Sequence, residues 1–268
     1  SFDGSKDIVV EFQKDYDNIT LIENEKKITP VSFNIGIRYA KNEIVAIFSA
    51  HSIPSPDYIS KAIDTIKKNN ADCVGGPMNA QGITIIGKSI AHATSTPFGV
   101  GNSVFHYSKK PGYVNTVYQG FFYKKLFNKI GYFDEDLIRN QDDEMSYRIQ
   151  KFGGKIYYDP RIKSVYYSRS NIRKLIKQYY QYGLFKPLVF FKTNHGMQIH
   201  HFIPTFFVSY LFGYIFFNEL IYYNIPLIMY ISLCFFFSIF SNIPLKSKIF
   251  SIIIYPLIHI SYGIGFIF

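Results

Sequence analysis

The chain has 268 residues, enough to bury a real core in one or two domains. Lys and Arg number 29 against 19 Asp and Glu, a formal net charge of +10, yet 48% hydrophobic and 19% aromatic content excludes a disordered basic tail. Two cysteines, Cys73 and Cys234, stand in unlike segments, which excludes a disulfide-stapled miniprotein and a cysteine zinc site and leaves two unpaired thiols as the expectation.

In chain order, Ser1 to Asp7 is a polar turn and Asp7 to Tyr16 predicts a helix. No strand precedes that turn, and because a βα unit takes roughly 30 residues, one such unit is expected upstream of Ser1. Ile19 to Ile22 predicts a strand, Ser32 to Tyr39 a helix, and Ile44 to Phe48 an apolar strand that stops at Ser49. Asp57 to Asn69 carries Ile59, Ala62, Ile63 and Ile66 at helical spacing, and a further strand begins at Asp72. This alternation predicts the α/β class with a mostly parallel sheet covered by helices. Ligands of such sheets sit at the carboxyl ends of strands, so Ser1 to Asp7, Ser49 to Ser52 and Gln119-Gly120 are the stretches to inspect.

The second half changes character. After Asp159 the only acidic residue is Glu219, while Arg161, Lys163, Arg169, Arg173, Lys174, Lys177, Lys186 and Lys192 precede a nearly uncharged C-terminal stretch. The division expected is a domain over 1–190 and an interfacial and membrane segment over 191–268. Three bilayer-crossing helices are predicted, about 203–223, 225–242 and 249–268, with breaks at Asn224-Ile225-Pro226 and Pro244 to Lys248. The positive-inside rule puts the basic stretch, Lys246 and Lys248 on the cytoplasmic side of a cell (inner) membrane, with the chain multi-pass. Basic charge abutting a span points to anionic lipid and lipid-linked diphosphate as partners, not to nucleic acid.

The residues carry a resemblance. The Asp-Gly-Ser-Lys-Asp turn at 3–7, Asn34-Ile35-Gly36, the strand ending in Ser49-Ala50-His51, and Phe133-Asp134-Glu135 followed by Gln141-Asp142-Asp143-Glu144-Met145 and Arg148 resemble glycosyltransferase family 2. Those enzymes are inverting nucleotide-sugar transferases of the GT-A fold. Gly75-Gly76-Pro77-Met78, Ser95 to Asn102, Arg139 to Glu144 and Gln178 to Gly183 are similar to the branch holding succinoglycan-type exopolysaccharide glucosyltransferases.

The resemblance implies roles. Inversion needs a carboxylate to take the proton of the attacking hydroxyl, and the family pattern maps that base to Asp142, with Asp143 as its fallback and Glu144 as the later acid. Asp3 corresponds to the uracil-contacting aspartate, and Asn34, Ala50 and His51 to the donor-binding stretches. The family's Asp-X-Asp metal motif reads Ser49-Ala50-His51 here, which leaves His51 as the candidate ligand for Mg²⁺ or Mn²⁺. Gln178 to Tyr182 falls where processive members carry Gln-X-X-Arg-Trp; Gln181 and Tyr182 replace Arg and Trp, which points to addition of a single sugar.

Plainer readings stand beside these. Glu144 and Arg148 are four apart and can form a helix pair, Asp142-Asp143 can be a charged first turn, Asn34 can be an interior amide, and Ile172, Leu175, Tyr179 and Tyr182 can be an apolar stripe. The function expected is transfer of a hexose from a UDP-sugar to a polyprenyl-diphosphate-linked glycan in exopolysaccharide, capsule or O-antigen synthesis. The alternative, favoured by Ser49 and Gln141, is a non-catalytic protein of the same fold that binds lipid or a synthase partner.

Overall fold

Alternating apolar strands and amphipathic helices fold into the α/β architecture that the sequence predicts. The computed structural model describes residues 4–168, 170–194 and 197–268, so Asp3 lies outside the described residues. Helices α1 (Ser5–Asp15) and α2 (Thr29–Tyr39) lead to strands β1 (Ile44–Ala46) and β2 (Ser52–Pro54), then α3 (Tyr58–Lys68), β3 (Cys73–Gly76) and β4 (Met78–Gln81). Helices α4 (Ile85–Ala93) and α5 (Pro97–Val100) precede β5 (Gly112–Tyr113), β6 (Tyr118–Tyr123) and α6 (Lys124–Ile130). Helix α7 (Gln141–Lys151), strands β7 (Ile156–Tyr158) and β8 (Ser164–Tyr167), and the long α8 (Ile172–Thr193) complete the N-terminal part.

Two sheets form, one ordered β1-β6-β3-β7-β5 and one ordered β2-β8-β4. Two expectations need correction. The sheets are mixed, not mostly parallel: only β3–β7 and β4–β8 run parallel, because β6 returns between β1 and β3 antiparallel to both. Ile19 to Ile22 is irregular; it has no strand partner among the described residues, and an isolated strand cannot satisfy its backbone.

One core packs α2, α6 and α7 on the larger sheet through Ile37, Phe122, Phe127, Met145 and Ile149. A second closes the other face with α3 through Ala62, Ile66 and Val74. Strand β6 carries a kink at Gln119, whose φ of 52° lies in the left-handed region, opposite a register shift between Val74 and Gly76. That is the signature of a bulge. Gly76 has no room for a side chain, since a Cβ there would stand 1.8 Å from the Ile162 carbonyl oxygen.

The C-terminal region forms α9 (Ile199–Phe217), α10 (Ile225–Ile239) and α11 (Leu245–Ile267). By length and composition three stretches are apolar enough to cross a membrane, Ile199–Phe217, Ile221–Ile239 and Leu245–Ile267. Pro226 at the start of α10 and Pro244 capping α11 mark the predicted breaks. Helix α8 packs tightly along α11, and α4 joins it in a third core of Ile90, Leu175, Cys234, Ile254 and Ile258. Both cysteines are buried free thiols, as expected.

The α8–α11 contact is backbone on backbone. A Cβ on Gly183 would lie 2.1 Å from the Tyr262 carbonyl oxygen, and one on Gly265 would lie 2.0 Å from that of Tyr180. Gly183→Ala is therefore expected to force the helices apart and cost about 1–3 kcal/mol. A lower thermal midpoint of the detergent-solubilised protein checks this, and an unchanged midpoint would contradict it.

Candidate active site

The site grows from the entry into α7. Asn140, at φ 59°, turns the chain into the helix and its side-chain amide donates to the Tyr182 carbonyl at 3.0 Å. Arg139 Nε donates to Gln181 Oε1 at 3.0 Å. The α7 entrance is thus tied to the middle of α8 by side chains of two consecutive residues. The three acidic residues that follow share the first turn, favourable near a helix N-terminus, but their surroundings differ.

Asp142 is exposed at the protein surface. Protein crowds it on the flanks, and that burial, with the Asp143 carboxylate beside it, pushes its carboxyl up to about 6. Asp143 turns instead to α8, where Lys186 Nζ donates to its Oδ2 at 2.9 Å and to the Tyr147 hydroxyl at 3.2 Å. Burial works against the Lys186 charge, but Asp143 and Tyr147 outweigh it and hold the amine above its ordinary range. Glu144 is buried and grips Arg148 through Nε at 2.8 Å and through Nη2. Arg148 Nη1 also donates to the carbonyls of Ile130 and Tyr132, each at 2.8 Å. Glu144 therefore belongs to an i,i+4 pair within α7, inside the protein and not on its surface.

The surroundings of Asp142 are aromatic, with Tyr182 close enough to feel its charge. The Tyr118 hydroxyl meets Ser52 Oγ at 2.5 Å, Gln119 Nε2 donates to the same oxygen at 2.9 Å, and the Tyr118 ring stands edge-on to Tyr166, with centroids 6.2 Å apart. Burial pushes the Tyr118 phenol up to about 12, so it stays neutral; Ser49, Tyr166 and Tyr182 lie close enough to influence it. Gln178 Nε2 donates to the Tyr182 hydroxyl at 2.7 Å. Ser49, Ser52, Tyr118, Tyr166, Tyr182, Gln178 and Asp142 thereby form one continuous chain of neighbours.

Other expected site residues lie differently. Asn34 is buried, and its amide is used within the protein: Nδ2 donates to the Phe133 carbonyl at 2.9 Å and to Glu135 Oε1 at 3.2 Å, while Oδ1 accepts from the Phe133 amide at 2.9 Å. It clamps the 133–135 turn. Ala50 and His51 are exposed in the turn after β1. Ala50 offers no donor atom, and Ser49 Oγ accepts from the His51 amide at 3.3 Å. Among the described residues no group of three or more His, Cys, Asp or Glu could hold a metal ion. The donor set after β1, one imidazole without a carboxylate, does not fit a protein-held Mg²⁺ or Mn²⁺ site.

Tyr118, Tyr166 and Lys186 had no motif to announce them. Lys186 did carry a signal: it is the one charge in the apolar run from Gly183 to Phe191, and a lone cation in such a run is buried only when paired.

Residues 1–129 match the model of glycosyl transferase family 2. Among curated proteins, the dolichyl N-acetyl-alpha-D-glucosaminyl phosphate 3-beta-D-2,3-diacetamido-2,3-dideoxy-beta-D-glucuronosyltransferase of Methanococcus voltae is 36% identical over 197 residues, 70% of this chain and 61% of that protein. Succinoglycan biosynthesis protein ExoA of Rhizobium meliloti is 23% identical over 215 residues, 80% of this chain and 65% of that protein. The solved structure of mannosyltransferase PcManGT from Pyrobaculum calidifontis, in complex with GDP-Man and Mn²⁺, shares the fold with a TM-score of 0.58 at 15% identity, covering 96% of this chain and 75% of that one. The match to glycosyl transferase family 2 over residues 1–129 and the GT-A fold agree with what the motifs led one to expect. It spans 61% and 65% of the length of the two curated relatives.

Proposed function

We propose that the chain is the catalytic and membrane-anchoring part of an inverting glycosyltransferase, moving a hexose from a UDP-sugar to a polyprenyl-diphosphate-linked glycan at the cytoplasmic face of the inner membrane. Residues 1–190 form the transferase domain and 191–268 its membrane segment. The observation that carries the reading is Asp142: an exposed carboxylate in the first turn of α7, its carboxyl pushed up to about 6 by burial on its flanks and by Asp143. A base of that strength is ionised at neutral pH yet takes a proton more readily than an ordinary aspartate. Asp142 would accept the proton of the acceptor hydroxyl as it attacks the sugar carbon from the face opposite the leaving diphosphate. Gln178 and the neighbouring tyrosines would shape the acceptor groove. Asp3 is proposed for the base of the nucleotide.

The relatives support the acceptor class. One is named for a dolichyl phosphate-linked sugar and another for succinoglycan biosynthesis. A divalent cation used in the reaction would arrive on the diphosphate oxygens of the donor, because Ser49-Ala50-His51 offers no carboxylate to hold one.

The test is transfer of radiolabel from UDP-glucose and UDP-galactose into the lipid fraction of membranes that contain the full-length protein. Label in lipid supports the reading. No label from either donor, or from other nucleotide sugars, with folded protein and acceptor lipid present, would favour the non-catalytic alternative. EDTA in parallel asks whether transfer needs a divalent cation: loss of label with EDTA and its return with added Mn²⁺ or Mg²⁺ would show that it does.

A further inference from the structure

Helix α11 is 23 residues long and reads as a membrane span by composition, but the helices of the N-terminal domain cover one of its faces from end to end. At its start, Ser89 of α4 donates to the Ser247 carbonyl at 2.9 Å, and Ser247 donates back to the Ile85 carbonyl at 3.2 Å. Near its middle, the Phe98 ring, just after α4, packs on Tyr255 with centroids 4.9 Å apart, and His259 Nε2 meets the Phe98 carbonyl at 2.9 Å. Toward its end, Gly183 and Tyr180 of α8 touch the backbone at Tyr262 and Gly265. From Ser247 to Gly265 is about 27 Å at 1.5 Å per residue, close to the full depth of a hydrocarbon core.

The direction of α8 adds a second constraint. Its early residue Leu175 shares a core with Ile254 and Ile258, and its later Gly183 lies on Tyr262 and Phe266, so α8 and α11 run side by side in the same direction. Arg173, Lys174 and Lys177, all exposed on α8, therefore stand level with the middle of α11. If α11 crossed the bilayer, three solvated cations would be carried to mid-membrane with no carboxylate nearby in sequence, the placement that lipid disfavours most.

We propose that α11 lies in the plane of the membrane interface, between the N-terminal domain and lipid, and does not cross the bilayer. Its covered face buries Ser247, Ile254, Tyr255 and Ile258 against the N-terminal domain, and Ser251 bonds to Ser238 of α10, whereas Phe250, Ile253, Ile264 and Ile267 are exposed. That uncovered apolar stripe faces the acyl chains, and the cations of α8 then sit at headgroup level, where anionic lipid attracts them. Composition cannot separate this arrangement from a span; the packing of α4 and α8 does.

The chain has no Trp, so a single introduced indole is the only such emitter. Phe250→Trp, Ile253→Trp, Ile264→Trp and Ile267→Trp replace exposed residues and leave the packed face untouched. The full chain of each, reconstituted in phosphatidylcholine–phosphatidylglycerol vesicles, is titrated with lipids brominated at shallow or deep acyl positions and with aqueous iodide. The in-plane helix predicts one common shallow depth for all four. A deep Ile253→Trp with Ile267→Trp shallow, the pattern of a helix traversing some 26 Å over those 17 residues from Phe250, would overturn the proposal. So would iodide quenching without bromine quenching, which would place the helix outside lipid. The readout needs no sugar transfer, so its outcome is separate from that of the reaction proposed above.

Discussion

Asp142→Asn is expected to abolish sugar transfer, by about 10²–10⁴-fold in kcat, the range for loss of a positioned general base, while leaving the fold intact. The direction of the Asp142 shift agrees with the second half of that statement. Burial and Asp143 raise the Asp142 carboxyl to about 6 in the folded protein, above its ordinary 3.8. The folded state therefore binds the proton more tightly than the unfolded chain, so stability falls as pH rises through this interval and ionised Asp142 opposes folding at pH 7. The amide removes that opposition, and the variant should melt no lower than the parent protein at pH 7. For the parent, transfer should decline as pH drops through about 6, where the base takes up its proton. A variant that transfers sugar at the parental rate, or a profile flat from pH 5 to 8, would remove Asp142 from the base role. Asp143→Asn offers the comparison: it takes away the neighbouring negative charge, so the acid limb should move to lower pH.

Glu144 is expected to behave in the opposite way. Glu144→Ala strands the Arg148 guanidinium, whose side chain is 18% exposed, with two backbone carbonyls as its remaining hydrogen-bond partners among the described residues. Removing one member of a buried pair costs about 3–5 kcal/mol, because the remaining charge loses its compensation. The loss should appear as a large drop in thermal midpoint and in yield of folded protein. If the midpoint is unchanged while transfer falls, Glu144 acts in the chemistry and not in the scaffold. Three consecutive acids thus divide their work by environment: Asp142 is exposed, Asp143 is paired with Lys186, and Glu144 holds Arg148.

Much of this was legible in the chain. The α/β alternation, helices at 5–15, 29–39 and 58–68, and the three apolar C-terminal helices follow from periodicity and from Pro and charge boundaries. Family motifs brought the acidic run at 142–144 to the fore, and the i,i+4 spacing already contained the Glu144–Arg148 pair. What could not be read is what depends on contacts distant in sequence. Asn34 is spent on Phe133, 99 residues away, and Lys186 on Asp143, 43 residues away; neither partner is encoded by local pattern. The mixed sheet was missed for a like reason, since strand direction is set by how β6 returns between its neighbours and not by its own residues.

The bulge in β6 has a consequence for how this site can diverge. On a regular strand consecutive side chains point to opposite faces, yet Tyr118 and Gln119 both reach Ser52, because the left-handed residue breaks the alternation between them. The lining of the site is thus composed by counting as much as by chemistry. Losing one residue from this strand would restore the pleat and send one of the two side chains to the opposite face, with every other side chain unchanged. Chains of this fold can therefore exchange one lining for another through a single-residue change in strand length, a route that a position-by-position comparison of residue types would score as a gap.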